Sequence, residues 1–128
     1  EKSYSNANFY VNEEYKKVLI DGAMQAAQTT ISEVKIVNNI DEAISFFDDS
    51  YDKLLLDNVL EGESLSKYNP INNKCVIAIG PERGFSNRER NLFLNNGFES
   101  HTLGKRVLRS ETASCAAISI TLSRMELI

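Results

Sequence analysis

The sequence predicts an α/β domain, a mostly parallel sheet with helices on both faces. Three observations carry that reading. Two short apolar runs, Lys53–Asp57 (KLLLD) and Cys75–Ile79 (CVIAI), have strand length and little polar alternation, as expected of strands buried on both faces. Segments with helical spacing and recognisable caps lie between such runs. Glycine and proline follow the CVIAI run at once, as Gly80-Pro81. Alternating strand and helix is the pattern of a parallel sheet.

Residues 1–11 have no period and read as an irregular lead-in. Asn12 is placed to cap a first helix, in which Tyr15, Val18, Leu19, Ala23 and Ala26 share a face up to Thr29-Thr30. The β-branched run Val34–Val37 predicts a strand. Asp41 is placed to cap a second helix carrying Ala43, Ile44, Phe46 and Phe47. After the KLLLD strand, Glu61–Asn73 reads as a polar loop. Ser86 and Glu89 make a capping box for a helix that runs to Asn96, with Gly97 as its stop. Phe98–Leu103 is a strand. Ser110 opens a final helix rich in small residues: Ala113, Ala116 and Ala117.

With 128 residues, 42% apolar and 25% charged, the chain suits one ordinary globular domain. It contains no apolar run of membrane-spanning length. Cys75 and Cys115 sit in apolar surroundings without metal-ligand spacing, so both are expected to be buried, reduced and metal-free. The net charge of -4 hides an asymmetry. Residues 1–64 hold 5 basic and 13 acidic side chains, and residues 65–128 hold 9 and 5, or -8 against +4. A local positive field can hold phosphates even on an acidic protein, although an ordinary solvated surface gives the same count.

Two loops follow strand ends, where open α/β sheets bind ligands. One is Gly80-Pro81-Glu82-Arg83-Gly84-Phe85-Ser86, and the other is Leu103-Gly104-Lys105-Arg106-Val107-Leu108-Arg109-Ser110-Glu111-Thr112-Ala113. The first combines two glycines with a proline, so its backbone can approach a ligand closely. The second offers an apolar pair, Val107-Leu108, and then an arginine at a helix start, a setting for phosphate or carboxylate. Each loop alone is compatible with a structural turn. Together they describe a cleft for an adenosine-like ligand beside a phosphate-bearing partner. Neither GxxxxGK[ST] nor GxGxxG is present. His101, the sole histidine, is expected on a strand surface without a catalytic role.

Ile79–Ser86, then Gly97-Phe98, then Leu103–Ala113 resemble, in order and spacing, the signature of the 16S rRNA (uracil-N3) methyltransferase family of the SPOUT superfamily. The family pattern is close to IGPEGGFS, GF and LGxRILRTETA. Met24–Gln28 resembles its EQxxR segment, and Lys2-Ser3 a basic-Ser pair. Arg83 stands where glycine is usual, which a negative φ would tolerate. Gln28 replaces an arginine, and Ser110 a threonine. The resemblance spans essentially the whole chain and is strongest from about residue 75.

The resemblance implies a trefoil-knotted fold, a homodimer, S-adenosyl-L-methionine as donor, and 16S rRNA or the small ribosomal subunit as partner in the cytoplasm. It implies no metal. Family members carry an N-terminal RNA-binding barrel and a further strand and helix, so the chain is expected to be a single, N-terminally truncated methyltransferase domain without that barrel. Donor-binding positions implied are Leu56, Ile79, Gly80, Pro81, Glu82, Gly84, Leu103, Gly104, Val107, Leu108 and Thr112. RNA-binding positions are Arg83, Lys105, Arg106 and Arg109. Arg109 is the first candidate to stabilise the uracil anion, against a helix-start ion pair with Glu111. Glu111 has two readings, acceptor of the N3 proton or helix cap. Two other functions stay open: a knotted 2′-O-ribose methyltransferase, against which the Arg109–Ala113 sequence counts, and a non-enzymatic RNA-binding module.

Overall fold

The computed structural model describes Lys17, residues 32–104 and residues 108–128. It divides into two compact units, residues 1–38 and 39–128. The expected first helix, apart from the helical Lys17, and the Met24–Gln28 and Lys2-Ser3 segments lie outside the described residues. So does the path through residues 105–107 that a knot would require. In the first unit, Val34–Val37 forms no strand, and Val34 and Ile36 are exposed. β-Branched side chains favour a strand only where they pack against neighbours.

The second unit carries the sheet. It contains α1 (Ile40–Ile44), β1 (Asp52–Leu56), β2 (Glu63–Ser64), a 3-10 turn (Leu65–Lys67), β3 (Cys75–Ile79), α2 (Asn87–Asn95), β4 (Glu99–Thr102) and α3 (Ser110–Arg124). The strand order is β2-β4-β1-β3, and every pairing is parallel. The α/β expectation therefore holds, with β1 central. Leu56 lies in register with Ile79 on one side and His101 on the other.

Successive residues of β1 serve opposite faces. Leu55 packs with Ile44, Phe93 and Phe98 beneath α1 and α2, whereas Leu54 packs with Leu65, Tyr68 and Ala117 beneath α3 and the 3-10 turn. This is why the KLLLD run has no polar alternation. Burying a leucine fully contributes about 1.5–3 kcal/mol, and Leu54 and Leu55 are 2% and 0% exposed. The small-residue side of α3 serves this internal packing, since Ala117 is fully buried against the sheet.

Several local expectations change in the structure. Asn39, and not Asp41, caps α1, its Oδ1 accepting from the Glu42 amide at 2.9 Å. Asp41 and Glu42 fall in the first turn, where acidic groups suit the helix dipole. Phe46 and Phe47 lie past the helix end, and Phe46 is exposed. The capping box of α2 forms as read, with both Ser86–Glu89 bonds present, and Gly97 follows at φ 86°. The 61–73 segment is not merely a polar loop: it supplies edge strand β2, and Leu65 and Tyr68 enter the core. Cys115 is exposed and Cys75 half-buried, so neither belongs wholly to the core. Burial pushes the Cys75 thiol up to about 11, the nearby Asp52 carboxylate adding to it and a Tyr68 hydrogen bond opposing it.

Asp52 organises the N-terminal end of β1. Its carboxylate accepts from the Tyr68 hydroxyl, from the Ile71 and Asn72 amides at 2.9 and 3.1 Å, and from Asn72 Nδ2 at 2.9 Å. Burial acts to raise its pKa, but these hydrogen bonds together outweigh burial and leave it below the usual carboxylate value. Arg124 completes the assembly from the end of α3, donating to the Tyr68 carbonyl at 2.6 Å and to Asn69 Oδ1 at 2.9 Å. Replacing Asp52 with Ala strands these donors and should cost ~3 kcal/mol. Because the folded pKa is depressed, the Asp52 contribution is fully present above the unfolded value of ~3.9 and is lost as pH falls through the lower folded value. Urea unfolding of wild type and Asp52→Ala at pH 7 and pH 3 checks both statements. The gap between the two proteins should narrow at the lower pH.

Candidate donor cleft

A cleft of ≈ 260 Å³ opens at the C-terminal ends of β1, β3 and β4, just below the usual range for small-molecule pockets. Its walls include Leu56, Ile79, Leu103, Leu108 and Ala113, and its rim carries Pro81, Glu82, Arg83 and Gly84. The position follows from topology. Parallel strands all release their chains at the same edge, so the loops after β1, β3 and β4 must meet there.

The first loop is held by turn chemistry and by aromatic packing. The Gly84 amide donates to the Pro81 carbonyl at 2.8 Å, closing a turn in which Gly84 takes φ 75°. Among the described residues only Glu126 is a non-glycine with positive φ. Arg83 therefore avoids the left-handed region, and the substitution of the family's glycine is accommodated. Phe85 folds its ring over Gly80, so a Cβ built on Gly80 would sit 3.3 Å from two ring carbons. Phe85 then stacks edge-on against Phe93 at 5.1 Å, and Phe93 against Phe98 at 4.9 Å. The loop is thus anchored into the core beneath α2.

A buried ion pair ties the same loop to β1. Asp57, the residue after β1, pairs with Arg90 of α2, and both side chains are at least nine-tenths buried. The guanidinium also donates to the Phe85 carbonyl at 3.1 Å and to Asn87 Oδ1 at 2.7 Å. The Asp57 carboxylate further accepts from the Val59 amide at 3.1 Å. Strand end, glycine loop and helix are fixed to one another by these two side chains.

Among the described residues, a hydrogen bond joins the second loop to the first. Ser110 Oγ, on the first residue of α3, donates to the Gly80 carbonyl at 3.2 Å. A threonine hydroxyl, usual in the family at this position, can make the same bond. Arg109, rather than Ser110, occupies the N-cap, in extended conformation and without a side-chain capping bond. Arg109 and Glu111 are both exposed and outside the cleft lining. Glu111 lies in the first turn of α3, where its charge suits the helix dipole.

Of the donor-binding positions expected from sequence, Leu56, Ile79, Gly80, Pro81, Glu82, Gly84, Leu103 and Leu108 line the cleft. Gly104 adjoins it, Thr112 is exposed on α3 outside the lining, and Val107 lies outside the described residues. Of the RNA-binding positions, Arg83 is on the rim, and Lys105 and Arg106 lie outside the described residues. The sequence reading missed Asp57, Asn58, Val59, Phe85, His101, Ser110 and Ala113 as lining residues. The strand-end rule that selected the other two loops, applied to β1, would have found residues 57–59. His101 is the main correction: it is buried, 5% exposed, and not on a strand surface. Among the described residues there is no cluster of His, Cys, Asp and Glu able to hold a metal ion, and no helix is long and apolar enough to cross a membrane.

Fold and cleft define a parallel α/β domain with a candidate ligand cleft at the strand ends. The chain belongs to the RNA methyltransferase domain family, whose model matches residues 1–122. It is 37% identical over 127 residues to ribosomal RNA small subunit methyltransferase E 1 of Borreliella burgdorferi, covering 98% of this chain and 52% of that protein. It is 32% identical to ribosomal RNA small subunit methyltransferase E of Treponema pallidum, covering 96% of this chain and 48% of that protein. The chain thus spans about half the length of these curated relatives. Among solved structures, it resembles ribosomal RNA small subunit methyltransferase E of Neisseria gonorrhoeae bound to S-adenosyl methionine. That match has a TM-score of 0.79 and 28% identity, and covers 87% of this chain and 46% of the other.

The buried pair makes a specific prediction. Arg90→Met leaves the Asp57 charge uncompensated and should cost ~3–5 kcal/mol, whereas Asp57→Leu combined with Arg90→Met should recover much of that loss. Denaturant unfolding of the wild type, both single variants and the double variant checks it.

Proposed function

We propose that this chain is the catalytic domain of a methyltransferase that transfers a methyl group from S-adenosylmethionine to N3 of a uridine in 16S rRNA. The observation that carries the reading is the convergence of the two motif loops on one cleft, joined by the Ser110–Gly80 contact. Membership of the RNA methyltransferase domain family and the relatives' names support the reaction class. The uracil-N3 position, the homodimer and a cytoplasmic setting rest on the motif resemblance.

The residues present fit the donor. Gly80 keeps the loop backbone close to the cleft, with its Cα side already covered by the Phe85 ring. Leu56, Ile79, Leu103 and Leu108 offer apolar walls for an adenine-sized ring. When bound, the donor supplies an electrophilic methyl group on a sulfonium. The protein's task is to align the attacking nitrogen with that methyl and to exclude water. The uracil N3 proton must leave, and positive charge near the resulting anion lowers the barrier. Exposed Arg109, at the start of α3, is the residue assigned to RNA phosphate or to that anion. Arg83 on the rim is assigned to RNA phosphate, and the motif resemblance assigns Lys105 and Arg106 the same role. Glu111 is assigned to the helix dipole, with proton acceptance as its second reading.

Two outcomes test this assignment. A cation ~4 Å from a sulfonium is repelled by ~4 kcal/mol at an effective dielectric near 20, so Arg109 belongs to substrate and not to donor. Arg109→Ala should leave donor affinity within a few-fold while cutting methyl transfer to 16S rRNA by the full-length protein at least tenfold, or ~1.4 kcal/mol. Loss of donor affinity at unchanged melting temperature would move Arg109 into the donor pocket. Gly104 has φ 105°, and no atom of the described residues lies within 4 Å of where a Cβ would sit. Gly104→Val should therefore abolish donor binding through backbone strain and leave folding intact. Calorimetry with S-adenosylmethionine, together with mass spectrometry of the modified nucleoside, reads both and separates 3-methyluridine from a 2′-O-methylated product.

A further inference from the structure

His101 is the one histidine of the chain, and it lies in the cleft. It sits on β4 beside Leu56 of β1, in the row that continues to Ile79 of β3. The row faces the α3 side of the sheet, where Leu56 and Ile79 pack around Ala117 and Tyr68. The Tyr68 ring meets the imidazole edge-on at 6.2 Å. The His101 side chain is 6% exposed, yet among the described residues neither Nδ1 nor Nε2 has a hydrogen-bond partner. A carboxylate oxygen of the well-exposed Glu99 is 4.0 Å from Nε2, beyond hydrogen-bonding distance. A buried imidazole with both nitrogens unused costs stability, because each lost its water on folding. A leucine or isoleucine in the same row would fill the space without that cost.

We propose that His101 is a binding residue for the adenosine part of the methyl donor, its imidazole exchanging a hydrogen bond with a polar atom of the nucleoside. The inference rests on the donor-site reading given above. Three features select the nucleoside over the amino-acid arm. The surface beside His101, formed by Leu56, Ile79 and Leu103, is apolar and suits a flat ring. A neutral imidazole offers one donor and one acceptor, which match the neutral polar atoms of a nucleoside. Burying the charged carboxylate and ammonium groups against this apolar row would carry a large desolvation cost, whereas the rim, with exposed Glu82 and Arg83, leaves them in water.

The test compares wild type, His101→Leu and His101→Gln in calorimetric binding of S-adenosylhomocysteine and of 5′-methylthioadenosine, which lacks the amino-acid arm. His101→Leu should weaken both ligands at least tenfold and by similar factors, while the ligand-free melting temperature stays level or rises. His101→Gln keeps a donor and an acceptor and should lose less. Wild-type affinity in His101→Leu overturns the proposal and leaves His101 as an orphaned core residue. Weaker binding of S-adenosylhomocysteine alone also overturns it, by placing the imidazole against the arm. If the leucine variant does not fold, the single histidine still gives an unambiguous signal in tag-free wild-type protein. Its ring nitrogen resonances should shift on saturation with 5′-methylthioadenosine, and unchanged resonances count against the proposal. Failure of wild type to bind either ligand is a different result, because it removes the donor site itself.

Discussion

The central strand ends in a buried carboxylate, Asp57, whose charge needs a partner at the floor of the cleft. Asp57 meets that requirement through Arg90, and the guanidinium has donors left over for the Phe85 carbonyl and for Asn87. An arginine can do this because its planar fork presents several fixed N–H groups at once. The glycine loop is thereby tied to β1: its Phe85 carbonyl is held by the same cation that the strand end requires. The Phe85–Phe93 contact anchors the same loop from the apolar side. Replacing the Asp57–Arg90 pair by apolar residues would keep stability more readily than it would keep the loop in place.

The other end of β1 is built on the same principle. Asp52 gathers the Tyr68 hydroxyl and the backbone of residues 71–72, and Arg124 reaches the same segment from α3. One five-residue strand therefore fixes the connection before β3 at one end and the ligand loop after β3 at the other. Leu54 and Leu55 join the cores on its two faces. Rigid support of this kind is what a methyl transfer site demands, because rate depends on holding two reacting centres in line.

Within this rigid frame the cleft combines apolar walls, exposed backbone and an underused imidazole. Ser110 holds the α3 start against the Gly80 carbonyl. Among the described residues, Arg83 lies on the cleft rim and Arg109 is exposed outside the lining, while the buried Arg90 guanidinium is paired with Asp57. That separation suits a positively charged donor inside and a polyanion outside.

Local chemistry was legible in the sequence wherever one segment contained all the partners. The α2 capping box, the Gly97 stop and the CVIAI strand each involve residues within a few positions of one another, and the two motif loops that share the cleft are each a contiguous segment. The strand at Val34–Val37 failed because propensity cannot supply a packing surface. Only the tertiary structure could pair Asp57 with Arg90, thirty-three positions away, or carry Tyr68 to Asp52. It alone could bury His101, whose fate depends on which strands stand beside β4 and not on its neighbours in the chain. Buried polar groups such as Asp52 and Asp57 need partners because isolated burial is costly, and those partners come from distant parts of the chain.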